Sequence, residues 1–211
     1  MTQEKYSENY YSKNKHNNLS DFKKLFLEIN DIIPMFSNYY YNLYKIIKNI
    51  PHNGKILDVG VAKGTFSTFI QNIRPDVKIY GLDFTDVSKL LPKNINFIQD
   101  NATKFELSEK FDLIVCNHLL EHIDINKVPN VLNQINKHLK KNGIFWLTVP
   151  SFSKSFFNDP THIRPYNKIS VDTLAKITNF KNCDIFEGNY FRFPFYFFKW
   201  KLKITYGVLR K

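Results

Sequence analysis

Short apolar runs alternate with stretches of helical spacing along the middle of the chain. Runs rich in β-branched and aromatic residues predict strands at 55–59, 77–82, 95–99, 111–116 and 144–149. The spacing between them predicts helices at about 65–73, 86–91 and 125–141, and Asn142-Gly143 predicts a left-handed cap for the last helix. Strands that alternate with helices pair in parallel through right-handed crossovers. The pattern therefore predicts a doubly wound α/β fold, a mostly parallel sheet with helices on both faces.

The N-terminal part of the chain has a different pattern. Residues 1–20 are polar and predict a flexible arm. Residues 21–50 have helical spacing interrupted at Pro34, and they predict a helical lid that brings Tyr40 over a substrate pocket. The remaining residues, 51–211, are expected to form one domain, because this length suits a single hydrophobic core.

The C-terminal part of the chain predicts the far edge of the sheet. A predicted helix at 170–178 is followed by a short strand at 183–186. Further on, Trp200, Leu202 and Ile204 alternate with lysines, a period of two that is typical of a strand with one buried and one basic face. We therefore expect seven strands, the last of them in an antiparallel hairpin.

The amino-acid composition excludes several classes of protein. The 211 residues have a net charge of +11, but +7 of it belongs to residues 151–211, so the basic character is local. Only two cysteines occur, Cys116 and Cys183, which excludes a disulfide scaffold and a cysteine zinc cluster. Residues 1–18 lack the apolar core of a signal peptide, and no apolar run approaches the roughly 20 residues of a membrane span. We therefore expect a soluble, cytoplasmic protein.

Residues 56–66 carry the most informative pattern, a buried strand followed by a small-residue turn and a helix. At the carboxyl end of a parallel strand, the N–H groups of such a turn and the helix N-terminus face a ligand. The dinucleotide fingerprint G-x-G-x-x-G needs glycine at 60, 62 and 65, and only Gly60 matches. The segment instead resembles the first motif of the class I S-adenosylmethionine-dependent methyltransferases, which Asp58, Gly60 and Gly64 fit, with Ala62 in place of the middle glycine.

The ends of two further strands also resemble motifs of this family. The resemblance implies S-adenosylmethionine as the cofactor and S-adenosylhomocysteine as its product. Asp83 follows the second strand about 20 residues after the turn, where a carboxylate accepts hydrogen bonds from ribose hydroxyls. Phe84 beside it suits the adenine face, while helix capping is the other role open to Asp83. The resemblance implies that Asp100, Asn101 and Ala102, after the third strand, bind the adenine edge.

The fourth strand leads into residues that the resemblance places near the transferred methyl group. Residues 117–123 closely resemble a Leu-Glu-His-Val/Ile signature of the family, and residues 139–150 match its fifth strand. The resemblance implies that Asn117 and His118 lie beside the methionine end of the cofactor. His122 is either a candidate catalytic base or a structural histidine.

The loop at 158–167 resembles an Asp-x-x-His-x-Arg loop found in a subset of these methyltransferases. His162 is predicted as a general base, because a neutral imidazole accepts a proton near neutral pH. Arg164, with Tyr166 beside it, is predicted to bind an acidic group of the substrate, since guanidinium forks onto carboxylate or phosphate. The alternative is that His162 and Arg164 only pin the loop to the sheet edge. The residues predict no metal site.

These residues predict a methyltransferase for a small-molecule or glycan-precursor acceptor, with direct in-line transfer to oxygen or nitrogen. The protein would hold the acceptor about 3–3.5 Å from the methyl carbon and remove a proton through His162, His118 or His122. An RNA methyltransferase that uses the basic, aromatic C-terminal segment and a non-catalytic adaptor are the alternatives. Nucleic acid is disfavoured because residues 117–120 lack the Asn/Asp-Pro-Pro-Tyr/Phe step of base methylation.

The aromatic segment at 190–200 allows two interpretations of its environment. Its rings beside lysine and arginine suit either an anionic membrane surface, at the inner face of the membrane, or a buried contact. The sequence does not decide the oligomeric state.

Overall fold

Seven strands form one sheet in the part of the chain that the computed structural model describes, residues 38–191 and 201–211. The predicted arm, the first part of the predicted lid and most of the aromatic segment lie outside the described residues. The helices are α1 (Asn38–Lys48), α2 (Thr65–Ile73), α3 (Val128–His138) and α4 (Lys168–Ile177). The strands are β1 (Lys55–Val59), β2 (Lys78–Asp83), β3 (Ile95–Gln99), β4 (Phe111–Asn117), β5 (Leu139–Pro150), β6 (Lys181–Phe191) and β7 (Lys201–Arg210).

The strands lie in the order β3-β2-β1-β4-β5-β7-β6. Neighbours from β3 to β5 are parallel, whereas β7 is antiparallel to both β5 and β6. The predicted fold class, with its antiparallel C-terminal hairpin, is confirmed. The chain moves outward from β1 to β3 and then returns to the centre at β4. In sheets of this kind a cleft opens where the strand order reverses, at the carboxyl ends of β1 and β4.

Helices cover both faces of the sheet, because successive residues of the central strands point to opposite sides. On one face, Ile56 of β1 and Trp146 of β5 pack with Leu43 and Ile47 of α1. On the other face, the cluster that contains Leu57 of β1 includes residues of α3 and α4. The described part of the predicted lid therefore belongs to the core. None of the helices within residues 38–191 and 201–211 is long and apolar enough to cross a membrane.

Two of the predicted elements are wrong in their details. The helix predicted at 125–141 ends at His138, and β5 begins at Leu139 because Leu139 pairs with Phe111 of β4. Asn142 does adopt the left-handed backbone, with φ of 65°, but inside β5, where the pairing with β4 shifts register. The helix predicted at 86–91 is only a 3₁₀ turn, Ser88–Leu90.

Candidate active site

The turn between β1 and α2 forms the floor of the site. Gly60, Ala62 and Gly64 have left-handed backbone, with φ of 81°, 49° and 68°. The N–H groups of Gly60 and Val61 both donate to the carbonyl of Leu82, at 2.8 and 3.1 Å. Contrary to the expectation from sequence, these donors are satisfied within the protein. The glycines instead permit close packing of the turn, since a Cβ at Gly60 would lie 3.3 Å from Leu119 and one at Gly64 would lie 2.7 Å from Leu91. Ala62 holds a conformation that costs an L-residue about 1 kcal/mol.

Asp83, at the end of β2, is held by this turn. One carboxylate oxygen accepts the N–H of Ala62 at 3.0 Å, and the other accepts the N–H of Thr85 at 3.0 Å. The residue is only 8% exposed, and burial raises the pKa of its carboxyl above the ordinary value. Neither donor belongs to a helix, so the structure does not give Asp83 the capping role that the sequence left open.

Asp58 lies deeper than the sequence suggests. It is 3% exposed, and the hydroxyl of Ser67 on α2 donates to its Oδ2 at 2.7 Å. Burial raises the pKa of Asp58 to about 6, while the bond from Ser67 acts in the opposite direction. An enclosed carboxylate of this kind joins the strand to the helix that follows the turn. The structure thus supports a role for Asp58 in holding the turn rather than in touching a ligand.

The end of β3 lies next to Asp83. Asp100 donates its N–H to the carbonyl of Asp83 at 3.0 Å, and its own carboxylate accepts the N–H of Asn101 at 2.6 Å. Ala102 is partly buried against the core. The ring of Phe84 is 49% exposed and is therefore accessible to a flat ligand. The residues predicted for the nucleoside end of the cofactor therefore do share one edge of the sheet.

The end of β4 turns sharply at His118, whose φ is 53°. Its N–H donates to the carbonyl of Thr148 in β5 at 2.9 Å, and its Nδ1 lies 3.2 Å from Oε1 of Glu121. The side chain of His118 is 41% exposed, whereas that of Glu121 is fully buried. Asn117 before it has a buried Oδ1 without a hydrogen-bond partner among the described residues. An orphaned acceptor of this kind is what a bound donor group would satisfy.

The loop between β5 and α4 crosses the end of β4. Ile163 donates its N–H to the carbonyl of Glu121 at 2.7 Å, which ties the loop down. The ring centroids of His162 and His122 are 4.9 Å apart. His162 packs on Phe156, with centroids 4.6 Å apart, and its Nδ1 lies 2.8 Å from the carbonyl of Phe156. Three predicted residues thus gather near Glu121, namely His118, His122 and His162.

The residues predicted to contact the substrate differ in burial. Tyr166 is 1% exposed and donates its hydroxyl to the carbonyl of Leu120 at 3.2 Å, so it supports the loop from within the core rather than facing a substrate. Arg164 is half-buried, and its guanidinium lies over the ring of Tyr166, 5.5 Å from the centroid. The side chain of Tyr40 lies outside the described residues.

Comparison with known proteins assigns the chain to a family. A family model described as a methyltransferase domain matches residues 35–183, well over half of the chain. The chain belongs to this family. The predicted enzyme class and its cofactor, S-adenosylmethionine, are thereby confirmed at the level of the domain.

Relatives of the methyltransferase domain act in more than one reaction. Carboxy-S-adenosyl-L-methionine synthase of Campylobacter jejuni is 30% identical over 107 residues, which cover 47% of this chain and 45% of that protein. Malonyl-(acyl-carrier protein) O-methyltransferase 2 of Ilyobacter polytropus is 28% identical over 145 residues, covering 60% of this chain and 53% of that protein. The chain thus matches only about half the length of these curated relatives.

Solved structures share the fold of the methyltransferase domain. A SAM-dependent methyltransferase from Archaeoglobus fulgidus superposes with a TM-score of 0.64 at 14% identity, covering 92% of this chain and all of that one. The N-methyltransferase NodS from Bradyrhizobium japonicum, in complex with S-adenosylhomocysteine, gives a TM-score of 0.58 at 14% identity, covering 82% of this chain and 85% of that one. At these identities the likeness concerns the fold.

Sequence reasoning overlooked two partners in the site of this methyltransferase domain. Glu121 is part of a Glu-His pair in the sequence, but the pair does not show that its carboxylate is buried beside the histidines. The available signal is its position among the apolar residues Leu119, Leu120 and Ile123, where a charge is costly unless it is paired. Thr161 is the other, since its hydroxyl lies 3.0 Å from Nδ1 of His122.

Proposed function

We propose that the protein transfers a methyl group from S-adenosylmethionine to a hydroxyl or amine of a small-molecule or glycan-precursor acceptor. The observation that carries the proposal is the histidine cluster around Glu121, at the same sheet edge as the glycine turn and Asp83. When bound, the cofactor supplies an activated methyl group on a sulfonium. The protein then needs only to orient the acceptor and to take up its proton.

The cofactor would lie along the carboxyl ends of β1 to β4. Asp83 would accept hydrogen bonds from the ribose hydroxyls, and the exposed ring of Phe84 would cover one adenine face. Asp100 would meet the adenine edge. The orphaned Oδ1 of Asn117 fits a donor at the methionine end, such as an ammonium group. These residues fit the group because each offers an acceptor or an apolar face at the strand end where that part of the cofactor is needed.

His118 is the proton acceptor that the geometry favours among the three predicted histidines. Its side chain is exposed, so an acceptor molecule can reach the ring. Its Nδ1 lies 3.2 Å from the buried carboxylate of Glu121, which stabilises the imidazolium formed when a proton is taken up. The left-handed backbone at His118 holds the ring at this position, a type of strain often found at functional sites.

Arg164 would supply acceptor specificity. Its guanidinium is half-buried on the face of Tyr166, which restricts the side chain to one side of the loop. A guanidinium that is already ordered loses little entropy when it binds an anion. The proposed acceptor therefore carries a carboxylate or phosphate in addition to the group that is methylated.

Transfer of a labelled methyl group from S-adenosylmethionine tests this proposal. Acidic sugars, small organic acids and RNA would be offered to the wild type, to His118→Gln and to His52→Gln, a control at an exposed histidine outside the site. We expect product with an acidic small molecule, and a loss of at least tenfold in kcat for His118→Gln only. Labelling of RNA alone, or equal rates in the two variants, would contradict the proposed acceptor or the proposed base, respectively.

A further inference from the structure

Three side chains of the site form a cluster with the composition of a metal centre. A carboxylate oxygen of Glu121 and one ring nitrogen each of His122 and His162 lie within 4.8 Å of one another. Ligand atoms about 2.0–2.2 Å from one ion lie about 3.3–3.6 Å apart when their angles at the ion are tetrahedral. Side-chain movements of up to about 1 Å would therefore bring all three atoms onto a common ion.

Both histidines are oriented by contacts typical of metal ligands. Nδ1 of His162 lies 2.8 Å from the carbonyl of Phe156, and Nδ1 of His122 lies 3.3 Å from the carbonyl of Thr161. A carbonyl only accepts, and the hydroxyl of Thr161, 3.0 Å from Nδ1 of His122, donates its own proton to Oδ1 of Asp159 at 2.6 Å. Each Nδ1 therefore carries the proton and each Nε2 carries a lone pair. Donation of the second ring N–H to a backbone carbonyl is the usual arrangement around a ligating histidine, because it fixes the tautomer and the ring plane.

The carboxylate of Glu121 provides a second, independent sign of a cation site. Its side chain is fully buried, and its Oε2 has no hydrogen-bond partner among the described residues. His118 occupies only the other oxygen, Oε1. A buried carboxylate oxygen without a donor costs several kcal/mol unless a proton, a donor or a metal ion satisfies it. The carboxylate of Asp159, with Oδ2 4.0 Å from Nε2 of His162, adds negative charge near the cluster.

We propose that Glu121, His122 and His162 bind one divalent transition-metal ion. Two imidazole nitrogens and one carboxylate suit zinc, iron, cobalt or manganese better than magnesium, which prefers oxygen ligands. Three protein ligands leave coordination positions open, the pattern of catalytic rather than structural sites. The role of the ion rests on the proposed function: it would bind the acceptor oxygen and make its proton more acidic, while His118 receives that proton.

Metal binding is measured on the full chain after removal of metal with a chelator. Isothermal titration with Zn²⁺ and Mn²⁺ is expected to give one site in the wild type and in His52→Gln, and an affinity at least tenfold weaker in His162→Gln. S-adenosylhomocysteine binding is measured on the same samples, so failure of the metal site and failure of the methyltransferase proposal are read separately. No site in the wild type, or equal affinity in His162→Gln, would overturn the metal proposal.

A second measurement needs no substituted protein. Wild type loaded with Co²⁺ is expected to show two paramagnetically shifted imidazole N–H resonances, one from each Nδ1–H, whose protons the two carbonyls hold. Bound Co²⁺ without such resonances would show that the ion sits elsewhere. That result would leave the cluster as a hydrogen-bonded group of side chains and would refute the site.

Discussion

Replacement of Asp83 by asparagine tests the link between the glycine turn and the cofactor. The carboxylate holds two backbone N–H groups, one on each oxygen, from Ala62 and Thr85. Asparagine keeps the shape but has a single acceptor oxygen, so one of these N–H groups would face an amide NH₂. The substitution also removes a buried charge, whose burial cost is visible in the raised pKa of Asp83.

The lost hydrogen bond and the removed buried charge change the stability of the fold in opposite directions. Ligand binding, in contrast, is only weakened by the substitution. Loss of one N–H partner destabilises by about 1–3 kcal/mol, and relief of the buried charge offsets part of this loss. Hydrogen bonds from ribose hydroxyls to a carboxylate contribute about 1.5–3 kcal/mol each, and an amide can replace only one acceptor. We therefore expect S-adenosylhomocysteine to bind Asp83→Asn about 10–100-fold more weakly, while the free energy of unfolding falls by less than about 3 kcal/mol.

Calorimetric titration with S-adenosylhomocysteine gives the affinity, and urea denaturation gives the stability. Asp86→Asn is the matched control, because Asp86 is exposed and its carboxylate also accepts a backbone N–H, that of Ser88 at 3.0 Å. The control is expected to bind like the wild type. An affinity of Asp83→Asn within about threefold of the wild type, or an equal loss in both variants, would refute the assignment of Asp83 to the ribose.

Three further predictions concern stability. The pKa of Asp58 is raised from 3.8 to about 6 on folding, so its contribution to stability is fully present well below pH 3.8 and is lost as the pH rises through 6. Relative to Asp58→Asn, the free energy of unfolding should fall by roughly 2 kcal/mol between about pH 4 and 7.5 in urea titrations, and parallel curves would contradict this. Gly64→Ala places a Cβ 2.7 Å from Leu91 at a φ of 68° and should lose about 1–3 kcal/mol in the same assay. Gly188→Ala is the control, because its Cβ would meet no atom of the described residues within 4 Å, and it should not lose stability. Tyr166→Phe should lose about 1 kcal/mol of stability without a change in KM for the acceptor; a raised KM would restore Tyr166 as a substrate contact.

Most of the sheet could be predicted from the sequence because its signals are local. Strands buried on both faces contain continuous apolar runs, as at 113–116, and the turn residues after them are small or polar. The misplaced boundary at the end of α3 had a different cause. Asn142-Gly143 is a valid signal for left-handed backbone, but the pairing of Leu139 with Phe111, distant in sequence, decided that the residues before it extend a strand.

Local signals also predicted part of the candidate site. Strand ends are set by the alternation of elements, so Asp83, Asp100 and His118 could be assigned to one edge. Whether a side chain at that edge faces a ligand or the core depends on packing with other segments. Tyr166 is an example, because the sequence predicts a substrate contact in a polar loop whereas the packed structure leaves its side chain only 1% exposed.

The alternating elements and the small and acidic residues at the strand ends follow from local sequence, because each depends on neighbours a few residues apart. These features are enough to recognise the family. Contacts between residues far apart in the chain depend on how the elements pack in three dimensions. In the folded chain, the N–H groups of the turn donate to the carbonyl of Leu82, and Asp58 is buried against α2. Packing also places His162 next to His122 and the buried Glu121. A carboxylate becomes costly, and so informative, only once burial removes its water, and burial is a property of the packed chain.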